Sequence, residues 1–238
     1  MHQVPGSVWP GAHGRLLDFI TKRWNTVAIT SATTTTAIAA LTTLQSAALT
    51  TAEISVLTTV QVAALQTDDL AVLQTNGIRT LNSVQVRALS TVQLSALGTQ
   101  QVASLATTAL RALGAAQIAS LTTAQIAGMG TTQIAALTSS NVSALTADQV
   151  AVLRTKDLAL FSTSNLQALG TSQIAALTTS QLIALTTAHA AALGTAAVAA
   201  LTTAQVEVMD TADLAAISTS SLSVLGSAQI SALRTTQL

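Results

Sequence analysis

The sequence predicts an all-α fold: a solenoid, or superhelix, of very short helices, one in each eight-residue repeat. Three observations carry that prediction. A large apolar residue returns every eight positions without a slip, charges are confined to four of the eight positions, and threonine is missing from one exposed position. A β-solenoid with stacked Thr and Gln ladders is the alternative the pattern leaves open.

The period comes first. Counting in eights from Leu41 meets Leu49, Leu57 and Leu65, passes through Leu121, Met129, Leu137 and Phe161, and reaches Met209, Ile217, Leu225 and Leu233. The 200 residues from Thr34 to Leu233 make 25 complete octads, with a fragment at 234–238. A fixed short period is the signature of a solenoid or array. The chain therefore divides into a non-repeat N-terminal segment, 1–33, and an octapeptide-repeat region, 34–238. No octad can bury enough apolar surface alone, so each depends on its neighbours.

With the ruler residue as slot eight, slot five is Ile, Val or Leu except at Ser46 and Ala190. Slot two is nearly always Thr or Ser, slot four is usually Gln, and slot seven is small or β-branched. Slot one holds Gly98, Gly114, Gly130, Gly170, Gly194 and Gly226 among mostly small or polar residues. Charges such as Glu53, Asp68, Arg79, Asp148, Arg154, Asp157 and Glu207 fall only in slots one, three, four and six. An unpaired buried charge costs several kcal/mol. The expectation is that slots two, five, seven and eight face inward.

The choice of helix over strand rests on slot six. It is outward by the charge pattern and holds mainly Ala and Ser with some Arg, Gln and Glu, never Thr. An exposed strand position would accept Thr freely, whereas Ala, Arg, Gln and Glu are good helix formers. One continuous helix is excluded, because an eight-residue step turns the apolar stripe by roughly 80° each time. Each octad is thus expected to place an N-cap at slot two and Gln or Asp in the first turn. Slots five and eight share one face, and a slot-one glycine ends the helix in the left-handed region.

At the N-terminus, Arg15 to Trp24 could form a short helix with Leu16, Ile20 and Trp24 on one face. Three of the four aromatics, Trp9, Phe19 and Trp24, lie in this segment, as a cap for the first octad or as an assembly element. At the other end the chain stops at Leu238, in slot five, without a polar terminal unit. Trp9, Phe19, Trp24, Leu233 and Leu238 are therefore the candidate assembly ends, and a head-to-tail contact that does not close would build a filament.

Composition excludes several functions. Only 8% of residues are charged and the formal net charge is zero, which argues against a nucleic-acid partner, since phosphate binding needs a basic surface. There is no cysteine, hence no disulfide, thiolate metal site or thiol catalysis. Thr, Ser and Gln recur in every octad, so no run reaches the roughly 20 apolar residues of a spanning helix. No classical signal peptide is present.

The candidate chemistry is sparse. His2 and His13 lack metal-ligand spacing, and His189 replaces the usual Gln of slot four. Asp68–Asp69 is a lone acidic pair, Gly128–Met129–Gly130 is too short for a phosphate loop, and Asn141–Val142–Ser143 is an incidental sequon. No catalytic, cofactor or metal site is expected, and the chain does not read as an enzyme. Recurrent pairs such as Thr178–Thr179 and Thr202–Thr203 resemble the threonine ladders of ice-binding proteins, a minor alternative set against the expected inward slot two.

The phrase LTTAQIA, read from Leu121 to Ala127 and approximated throughout 34–238, resembles the octad tracts of long, repetitive bacterial proteins that are secreted or exposed at the cell surface. The resemblance implies an extracellular or surface location and brings no site residues. Taken together, the expectation is a structural repeat protein that associates with itself as a filament subunit or surface stalk. The alternative is a monomeric protein-binding solenoid such as a secreted effector.

Overall fold

A computed structural model describes residues 28–238. Within them the chain forms 25 α-helices, from α1 (Thr35–Ala39) to α25 (Ser227–Ser231), and a closing 3-10 helix, Thr235–Gln237. Each helix occupies one octad, and no strand occurs among the described residues. The fold is the all-helical repeat array, and the β-solenoid alternative falls.

Each helix up to Thr203–Val208 packs against the helix three octads further along, and Thr211–Ala216 packs against the closing 3-10 helix. Thr99–Ser104 lies on Thr123–Gly128, and Ala147–Ala151 lies on Thr171–Ala176. One coil therefore takes three octads, and the coils stack with a shared core. Slots five and eight supply that core: Ile54, Val86, Leu110, Ile134 and Ile174 from slot five, Leu97, Leu121, Met129 and Phe161 from slot eight, all buried. Slot-seven alanines such as Ala64, Ala88 and Ala144 are half-buried against it. Ser46, the polar exception in slot five, is fully buried and its hydroxyl has no hydrogen-bond partner.

The helix boundary differs from the expected one by a residue. The N-cap is slot one, not slot two. Thr122 Oγ1 accepts from the Gln125 N–H at 3.1 Å, and Gln125 Oε1 accepts from the Thr122 N–H at 2.7 Å. This reciprocal capping box recurs along the chain. Slots one and two both carry Thr, so residue type alone could not separate the cap from the first helical position.

The helix exit also differs. No residue with positive φ occurs among the described residues, and the slot-one glycines are extended N-caps, as at Gly114 with φ −76° and ψ 168°. In a six-residue helix the slot-eight leucine is itself extended, as at Leu97 with φ −63° and ψ 141°. Two extended residues in succession turn the corner between octads, so no left-handed residue is needed.

Two slots change sides. Slot two is exposed or half-exposed along the array, whereas slot four is buried at Gln61, Gln125, Gln149, Gln181 and Gln205. Stacking explains the reversal. The carbonyls at each corner point toward the next coil and need donors, and the slot-four amide supplies them.

Candidate functional site

The repeated feature with specific chemistry is the column of slot-four side chains between coils. Gln125 is representative. Its Oε1 accepts from its own N-cap, while its Nε2 donates to the carbonyls of Leu94 at 2.9 Å and Leu97 at 2.6 Å, in the coil beneath. Gln85, Gln93, Gln173, Gln181, Gln205 and Gln229 repeat this pattern. Each amide uses both ends, so the buried polar group is satisfied. The column starts at the edge of the repeat, where Gln61 Nε2 donates to the carbonyls of Thr30 and Thr33.

Substitutions in this slot keep the same wiring by other means. Asn141 and Asn165, one methylene shorter, reach only the nearer carbonyl, Leu113 and Leu137 respectively, each at 3.1 Å. His189 is buried: its Nδ1 faces the Thr186 N–H at 3.2 Å and its Nε2 faces the Phe161 carbonyl at 2.8 Å. Those partners require the neutral ring with the proton on Nε2. The histidine thus does the work of a glutamine.

Carboxylates cannot donate, and each is accommodated differently. Asp157 is buried and paired with Arg154, whose Nη2 donates to the Met129 carbonyl at 2.7 Å in place of an amide. The Thr131 hydroxyl donates to Asp157 from the neighbouring coil. Glu53 accepts from the Ile29 N–H at 3.2 Å and from the Thr50 N–H and hydroxyl at 2.9 and 2.8 Å, tying the segment before the repeats to the first coil. Burial pushes the Glu53 pKa up, but these three donors outweigh it and hold the carboxyl below its ordinary value. Asp213 is held above its ordinary value by burial and by Asp210, against the pull of the Thr187 hydroxyl.

At Gly77 the slot has no side chain. A Cβ there would overlap Ile54 Cδ1, which fills the space, so any side chain at this position would have to displace the end of Ile54.

The ALTTAQ repeat matches six segments, residues 62–99, 70–107, 95–131, 123–155, 150–187 and 206–238, well over half of the chain. The chain belongs to the ALTTAQ repeat family. No curated protein matches it. In this ALTTAQ repeat protein the second T of the name falls on slot two and the Q on slot four, the exposed threonine and the buried amide.

Of the candidate assembly residues, Trp9, Phe19 and Trp24 lie outside the described residues, as do His2, His13 and the Arg15–Trp24 segment. Leu233 is half-buried against the core, and Leu238 is 86% exposed. The structure does not bring these two into a common cluster with any predicted functional residue. Asp68 is exposed and Asp69 buried, so the acidic pair is split between surface and slot four.

Among the described residues no three His, Cys, Asp or Glu side chains gather as metal ligands, and no helix is long and apolar enough to cross a membrane. What sequence reasoning missed is slot four itself: Gln at fixed spacing in a chain with only 8% charged residues was the available signal.

Proposed function

We propose that this ALTTAQ repeat protein is a non-enzymatic structural element, a self-associating fibre subunit or stalk working outside a bacterial cell or on its surface. The observation that carries this reading is the continuity of the array. Core and amide column run from coil to coil with the same wiring, as in Gln61, Gln125, Gln181 and Gln229. Such quasi-one-dimensional stacks suit spanning and scaffolding.

Self-association draws support from the surface. Net charge is zero, which favours association over colloidal repulsion. Val60 and Val84, 63% and 64% exposed, occupy slot three of helices that pack directly on one another, Thr59–Ala64 and Ser83–Ala88. They form an apolar lateral pair. In the last helical octad Ile230 is 51% exposed, although slot five is buried from Ile38 to Leu214. A second copy of the chain is the occupant proposed for these surfaces.

Electron microscopy of the purified protein, with sedimentation as a second readout, tests the reading. Fibres or higher oligomers that Val60→Lys and Val84→Lys, or Ile230→Lys, break into single rods support it. Single rods from the wild type overturn self-association and turn the search toward a protein partner.

A second reading follows from slot two. Its threonines were expected inside but stand exposed or half-exposed in columns along the coils, for example Thr51, Thr75, Thr99 and Thr123. Regular hydroxyl and methyl arrays of this kind suit an ordered water surface. Thermal hysteresis and ice-recrystallisation assays test it, and their absence at high protein concentration removes it.

A further inference from the structure

We infer that the slot-four position of Ala197 is a binding site for a primary carboxamide. The octad 194–201 carries alanine where Gln173, in the coil beneath, and Gln205, in the next octad, carry glutamine. A cleft of about 290 Å³ lies there, lined by Leu166, Leu169, Leu193, Gly194, Ala196 and Ala197. Those residues are the ones a glutamine amide would meet. Elsewhere the Nε2 of slot four donates to carbonyls 31 and 28 residues back, as Gln173 does to Val142 and Leu145. For position 197 the equivalent carbonyls belong to Leu166 and Leu169. The donor for the amide oxygen elsewhere is the slot-one N–H, as Thr202 gives it to Gln205 at 2.7 Å and Gly226 to Gln229 at 2.8 Å. Here it is the N–H of Gly194.

The chain thus holds a pre-aligned donor and two acceptors, spaced for a planar CONH2 group. Elsewhere in the array the equivalent backbone groups hold a glutamine side-chain amide by hydrogen bonds, as at Gln173 and Gln205. Access also fits. Gly194 is exposed and Ala197 is half-buried. A Cβ built at Gly194 would meet nothing within 4 Å, whereas at Gly98, Gly114, Gly130, Gly170 and Gly226 it would meet the glutamine Oε1 at 3.5–3.8 Å. Gly77 is the contrast: it too lacks the amide, but Ile54 fills its space. The recognition elements are rigid backbone groups set by packing, so little order has to be imposed on binding.

The group that separates glutamine from alanine is CH2CONH2, and its free form is acetamide. The site accepts either a free small amide or the side-chain amide of a glutamine carried by another polypeptide. The planar amide would lie along the cleft, its oxygen toward Gly194 and its NH2 toward the Leu166 and Leu169 carbonyls.

The test is an amide-resolved NMR titration of the full chain with acetamide. The expected result is a saturable shift of the Gly194 N–H, with smaller shifts at Ala197 and Leu169. N,N-dimethylacetamide, which has no N–H to donate, gives none. Ala197→Gln supplies the amide internally and removes the titration, and Gly194→Pro removes the donor at a φ of −79° that proline tolerates. Blocked glutamine, N-acetylglutamine methylamide, separates the sources: a response to it supports a polypeptide ligand, and a response to acetamide alone supports a free amide. No saturable shift with either, equal shifts with dimethylacetamide, or a titration that survives in Ala197→Gln overturns the proposal.

Discussion

Gln181 and Leu153 stand in adjacent coils, 28 residues apart, and are joined by a hydrogen bond of 2.7 Å from the Gln181 Nε2 to the Leu153 carbonyl oxygen. The same nitrogen reaches the Val150 carbonyl at 2.8 Å, while Oε1 accepts from the Thr178 N–H at 2.7 Å. One side chain therefore closes its own helix cap and fastens two coils. Local bonds build each octad, and the slot-four amides add bonds that run between coils.

Gln181→Ala removes the amide from the Thr178 N–H and from the Leu153 carbonyl, while the Val150 carbonyl keeps the Leu153 N–H at 3.1 Å. The expected loss is about 1–3 kcal/mol, read by urea denaturation. Gln181→Glu keeps the shape but turns a carboxylate toward two carbonyls. Its loss is larger at neutral pH and shrinks as the pH falls and the acid can donate. Because an array senses mainly its neighbours, hydrogen exchange should quicken in the octads around 178–185 and little elsewhere.

The Arg154–Asp157 pair replaces a glutamine with two residues. Arg154→Ala strands the buried Asp157, 1% exposed, and should cost about 3–5 kcal/mol. Adding Asp157→Gln to an Arg154→Thr background restores stability, since the amide then meets the carbonyls of Ile126 and Met129 and the threonine caps the helix. A double mutant as unstable as Arg154→Ala would contradict the equivalence.

Acidity separates two carboxylates with opposite signs. The folded Asp213 pKa is raised by burial and by Asp210, so its contribution is present at low pH and lost as pH rises through the folded value. Asp213→Asn, able to donate to the Leu185 carbonyl as Asn165 does to Leu137, should gain about 0.5–1.5 kcal/mol at neutral pH. That gain narrows in acid. The folded Glu53 pKa is lowered because three donors outweigh its burial. Its contribution is present above the unfolded pKa and lost as pH falls through the folded one. Glu53→Gln should therefore be destabilising at neutral pH, and the difference should fade on acidification. Denaturation curves across the carboxylate range read both slopes.

The sequence by itself determined the period and the apolar slots five and eight, and it favoured helix over strand. Leu41, Leu121 and Leu233 stand on one ruler, Ile54 and Ile174 share slot five, and slot six excludes threonine; these are consequences of local propensity and of the cost of burying charge, which a single octad already expresses. The N-cap was misplaced by one residue because Thr122 and Thr123 are the same residue type, and only backbone geometry distinguishes them. Slot four read as exposed because Glu53, Asp69, Asp157 and Asp213 occupy it, and its burial becomes intelligible only when coils are stacked. Three octads per coil bring the corner carbonyls of Leu97 or Leu153 beneath an amide 28 residues later, a distance no local pattern encodes. Tertiary structure decided that pairing, because a donor far along the chain has value only once the coil beneath has taken its carbonyls away from water.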